Sequence, residues 1–186
     1  MLKAADPINS RVRNRRGGTI AEFGAAFVVL VLFVFVPMVN LSFIAVRYFI
    51  AQGLIQEYVH RLALSEKRSD AYVSVNTDTW WKEFCDRCGV TVSDKTLKLL
   101  VCGETSPEKI SIPAGTPVGP QWLPGGAKAP CIYTLDLVVS VDIPPVYNGG
   151  PAIPGITSPI PLKIEGHSNW ENLSRNPVST EYFINE

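Results

Sequence analysis

The sequence predicts an α+β protein, a long N-terminal transmembrane helix followed by a small antiparallel β-sheet domain with disulfides. Three observations lead there. Residues 23–46 contain no charged side chain. Downstream, stretches of alternating polarity are separated by turns rich in proline and glycine. Four cysteines, Cys85, Cys88, Cys102 and Cys131, all lie after the apolar run. At 186 residues the chain has room for one ordinary domain and an accessory segment. The division expected is a basic cytoplasmic leader at 1–17, a transmembrane and extended helix at 18–65, and a periplasmic or extracellular α+β domain at 66–186.

The helix is predicted first. Roughly 20 apolar residues cross the ~30 Å hydrocarbon layer at a rise of 1.5 Å each, and 23–46 exceeds that. A helix apolar on every face could instead be buried in a soluble protein, but only about 120 residues remain to surround it. A cleaved signal peptide would have an apolar core of ~7–15 residues and a small-residue exit, and neither fits this run. Lys3, Arg11, Arg13, Arg15 and Arg16 precede the span against the single acid Asp6, while mainly Arg47 follows it. By the positive-inside rule the N-terminus is cytoplasmic and everything beyond Arg47 lies outside. Pro37, in mid-span, removes one backbone hydrogen bond and predicts a kink. Past the span, Tyr48, Ile50, Ala51, Leu54, Ile55, Tyr58, Val59, Leu62 and Ala63 recur at helical spacing, so the helix is expected to run on to about Ser65.

At the membrane edge stands Arg15-Arg16-Gly17-Gly18-Thr19-Ile20-Ala21-Glu22-Phe23. A glycine, four residues, then a glutamate and an aromatic before an apolar helix resembles the prepilin peptidase site of type IV pilins, specifically the Flp and TadE-like branch of the tight-adherence system. On this resemblance Gly17 is the last leader residue, Gly18 the first mature residue, Glu22 the fifth and Phe23 the sixth. Gly17 lets a peptidase approach the scissile bond closely because it has no Cβ. A carboxylate beside hydrocarbon needs a partner, and the resemblance supplies one for Glu22 in the freed α-amino group of an adjacent subunit. Without the resemblance, Glu22 is an acid favoured by the dipole at a helix N-terminus. Phe23 in place of the usual tyrosine, together with a full outer domain, makes a minor pilin or pseudopilin the closer relative. The partners implied are the lipid bilayer, the prepilin peptidase, other pilin subunits and the pilus assembly platform.

In the outer domain, residues 69–79 read as polar and turn-like, and Trp80, Trp81 and Phe84 beside Cys85 and Cys88 point to a small core. Cysteines outside the cytoplasm predict two structural disulfides among the four, with all three pairings open. Cys85-x-x-Cys88 also admits a thioredoxin-like redox centre or half a zinc site, but no βαβ pattern and no second close pair support either. Alternation at 91–93 and 97–101 predicts one or two strands. The clearest strand is 131–143, and 160–168 returns antiparallel to it across a Pro/Gly-rich connection. That last third is also similar to the C-terminal part of TadE-like proteins.

Lys+Arg and Asp+Glu both total 17, so no broad basic field invites nucleic acid. His60 and His167 are the only histidines, and neither a G-x-S-x-G nor a P-loop occurs. The expectation is therefore no enzyme, no cofactor and no metal. Two rivals to the pilin reading stand. One is an uncleaved single-pass scaffold of an envelope secretion complex. The other is a membrane-tethered thiol–disulfide protein using Cys85 and Cys88.

Overall fold

A computed structural model describes residues 20–103, 108–147 and 152–186. Helix α1 runs Ile20–Ala63 and is long and apolar enough to cross a membrane. Its 44 residues extend about 66 Å. The break expected at Pro37 takes the form of a π-helical turn over Val31–Phe35, closed by the Val36 N–H donating to Val31 O. Proline lacks the N–H that would reach the carbonyl four residues back, and its ring would strike that carbonyl. A wider turn just before it relieves both.

Two short helices follow, α2 (Arg68–Thr77) and α3 (Trp80–Arg87). Strands β1 (Thr91–Gly103), β2 (Lys109–Pro113), β3 (Cys131–Ile143) and β4 (Ile160–Asn169) form a four-stranded antiparallel sheet in the order β2-β1-β3-β4. The one or two strands expected at 91–101 are a single strand with an irregular register between Val92 and Asp94. Strand β3 occupies the expected residues, and β4 pairs with it antiparallel as predicted. Residues 69–79, expected to be turn-like, are mostly α2. Ala71 and Val75 bury one side of that helix, and tertiary packing overrides a polar local composition.

The core lies between the inner face of the sheet and the second half of α1. Leu99 and Val101 from β1, Leu135, Leu137 and Val139 from β3, and Ile164 from β4 meet Ala51, Ile55, Tyr58, Val59 and Leu62. Helix α1 rests chiefly on β4 and then β3. Gly166 permits this approach: a Cβ there would stand 2.9 Å from Val59 Cγ2 and 3.0 Å from Ile55 Cγ2.

The disulfides expected among Cys85, Cys88, Cys102 and Cys131 are not formed, and all four thiols are free. The sheet register explains the second pair. Cys102 is opposite Ile132 and Cys131 is opposite Gly103, one step out of phase. Side chains alternate across a strand, so these two thiols leave the sheet on opposite faces. In the first pair, Cys85 is buried in the last turn of α3 while Cys88 caps the helix and is partly exposed.

Candidate functional site

Helix α1 has two halves with different surroundings. From Ile44 onward its inward positions are buried by the sheet. Before Asn40 its large side chains stand open on every side, among them Phe27, Leu30, Phe33 and Phe35. A contiguous apolar surface of this kind is characteristic of helices that meet a membrane or another protein. Around the π turn, Phe27, Leu30, Val31, Val34, Phe35 and Met38 line a wholly apolar recess of about 470 Å³. Glu22 and Phe23 are both exposed in the first described turns of this half. Gly17 and Gly18 lie outside the described residues.

Polar side chains form a seam where the second half meets the domain. Strand β4 is an edge strand, with a row of backbone groups that need partners. Gln56 supplies two of them. Its Nε2 donates to His167 O at 2.6 Å and its Oε1 accepts the His167 N–H at 3.2 Å, so the amide pairs as another strand would. One turn earlier, Gln52 Nε2 donates to Glu165 O at 2.9 Å. His60 continues the row, with Nδ1 3.3 Å from Ser168 Oγ. It lies on an exposed helix face, as its position in the sequence suggests.

Towards the open half, the seam passes from β4 to the connection between β3 and β4. Arg47 Nη1 donates to Pro144 O at 2.5 Å. Asn40, only 1% exposed, donates from Nδ2 to Ile156 O at 2.7 Å. Its Oδ1 accepts the N–H groups of Val146 and Tyr147, each at 3.1 Å. One amide thus ties both limbs of the connection to the helix. Sequence reasoning missed Asn40, Gln52 and Gln56. Asn40 could have been flagged as a lone side-chain amide inside an apolar run, where polar groups demand partners.

The cysteines and histidines bring no reactive cluster together. Burial, followed by the nearby Cys88 and Asp86, pushes the Cys85 thiol up to about 11. Reactive thiols are depressed instead, usually at helix N-termini, and Cys85 lies at the opposite end of α3. In native protein treated with iodoacetamide at pH 8, Cys85 is therefore expected to react at least ~100-fold more slowly than an ordinary thiol. Mass spectrometry of the alkylated peptides, with denatured protein releasing all four sites, checks this. His167 lies on β4 with Nδ1 2.9 Å from Asp136 Oδ1, while Lys98 Nζ is 3.2 Å from Asp136 Oδ2. This is a buried carboxylate between an imidazole ring and a lysine ammonium from the flanking strands. Among the described residues, no group of three His, Cys, Asp or Glu side chains is placed to hold a metal ion.

No protein-family model, no curated protein and no solved structure matches this chain.

Proposed function

We propose that this chain is a minor pilin or pseudopilin, cut by prepilin peptidase between Gly17 and Gly18 and taking part in tight-adherence-type pilus assembly, adhesion or secretion. The observation that carries the reading is the open half of α1, apolar on every face and with Glu22 exposed at its end. Lipid accommodates such a helix, and so do like helices packed side by side, since van der Waals packing drives helix association in bilayers. The folded domain supplies the other half: its core holds α1 only from Ile44 onward, leaving the first part free for lateral contacts. In this reading the chain sits in the inner membrane with its N-terminus cytoplasmic and its domain periplasmic, or at the cell surface once assembled. No catalytic role is assigned to any residue.

Glu22 is the assembly residue, paired with the new α-amino group of a neighbour. Replacing it by alanine removes a buried charge partner across the subunit contact, a change typically costing ~3–5 kcal/mol. The expected result for Glu22→Ala is normal processing with assembly lost. Two measurements check it. N-terminal sequencing of membrane-extracted protein should begin at Gly18 in wild type and variant alike. Crosslinked oligomers should then appear only in wild type. An intact Met1 in wild type would refute cleavage and favour the uncleaved scaffold.

A further inference from the structure

The described limbs of the connection between β3 and β4 meet α1 at Asn40, one turn before the first core residue, Ile44. From Ile143 to Leu162 the sequence has no charged residue and six prolines. Its described limbs, 144–147 and 152–159, carry exposed apolar side chains at Val146, Tyr147 and Ile153. Asn40 fixes how far along the helix they lie. Counted from Glu22, Asn40 is 18 residues away, or about 27 Å, and Arg47 is 25 residues away, or about 37 Å. A hydrocarbon layer ~30 Å thick that starts at Glu22 therefore ends just beyond Asn40, and Arg47 reaches the headgroups.

We propose that these two limbs form a membrane-contacting element that seats Val146, Tyr147 and Ile153 in the outer interfacial layer of the bilayer. This rests on the reading that α1 spans the membrane. The backbone chemistry suits that depth, where an unpaired N–H or C=O is costly and irregular chain needs internal partners. Prolines carry no N–H. The Val146 and Tyr147 N–H groups and the Ile156 carbonyl are all satisfied by Asn40. On the second limb, Ile153 O accepts from the N–H groups of Ile156, Thr157 and Ser158, and the Ile153 N–H donates to Thr157 Oγ1. Tyr147, an amphipathic ring at headgroup level, matches the aromatic belts of membrane proteins. Met38, Leu41 and Phe43, within one turn of Asn40 along α1, are likewise exposed and apolar. Lipid is thus the occupant that the position, composition and hydrogen bonding share.

The test uses the full chain in phosphatidylcholine–phosphatidylglycerol vesicles, photolabelled with an apolar aryl diazirine that partitions into hydrocarbon, with sites mapped by mass spectrometry. Val178, 91% exposed and apolar but in the C-terminal segment, serves as the aqueous reference. The expected result is label on Phe27–Phe35 of the helix and, several-fold above Val178, on Val146, Tyr147 and Ile153. Label on the helix with the loop no higher than Val178 overturns the proposal and leaves the spanning helix intact. An unlabelled helix overturns both. Loop label that falls as protein is crowded at constant lipid assigns the face to a second copy of the chain and overturns the lipid contact.

Discussion

Replacing Trp81 by alanine is expected to destabilise the α+β domain by about 3–5 kcal/mol, a large share of a typical domain's stability. Trp81 is fully buried and its ring stacks on that of Tyr58, with centroids 5.2 Å apart and planes at 23°. Tyr58 in turn meets the Trp80 ring edge-on at 5.6 Å. The Tyr58 hydroxyl donates to Ser74 O at 3.0 Å and lies 3.1 Å from Asp78 Oδ2, which ties α1 to α2. Removing the indole therefore leaves a cavity at the point where α1, α2 and α3 converge, and the backbone of three helices limits how far it can collapse. Urea unfolding of the chain in detergent micelles, followed by the signal of the remaining tryptophans, measures the loss. A cost below ~1 kcal/mol would mean that the aromatic cluster does not hold these helices together.

Gly166→Val is expected to cost about 2–3 kcal/mol, by overpacking and not by cavity formation. The new Cβ would stand 2.9 Å from Val59 Cγ2 and 3.2 Å from the backbone oxygen of Ile55. A side chain can rotate away, but a helical carbonyl cannot. Nor is the strand free to slide, because Gln56 grips His167 through both its N–H and its carbonyl. The discriminating measurement is a double-mutant cycle with Gly166→Ala and Val59→Ala. Truncating Val59 opens space for the new methyl, so the two changes together should cost less than their sum by at least ~0.5 kcal/mol. Strict additivity would show that the contact between helix and strand is looser than these distances.

These two residues also mark how far the sequence was legible. Strands β3 and β4 could be read because the sheet buries one face, which imposes a period of two on 131–143. The second half of α1 could be read because Ala51, Ile55, Tyr58 and Leu62 recur at helical spacing for the same reason. Helix α2 was missed: Arg68-Ser69-Asp70-Ala71-Tyr72-Val73-Ser74-Val75 mixes polar and β-branched residues, and only docking of Ala71 and Val75 makes it a helix. Strand β2, five residues ending in proline, carries too short a pattern to stand out. Cysteine number suggested disulfides, but pairing depends on which face of the sheet a residue occupies, and register is set by distant residues. The candidate site divides in the same way. The apolar helix and Glu22 are visible in composition and order. Asn40 and Gln56 act through backbone groups more than a hundred residues away, and no local pattern records such a partner.

The hydrogen bonds at Asn40, Arg47, Gln52 and Gln56 are spread along α1, and their partners run alongside it from the loop into β4. Tension applied along the rod would load them together in shear, like stitches pulled lengthwise, so that none yields before its neighbours share the strain. A pull on the open half of α1 would thus reach the sheet through the whole row of bonds at once.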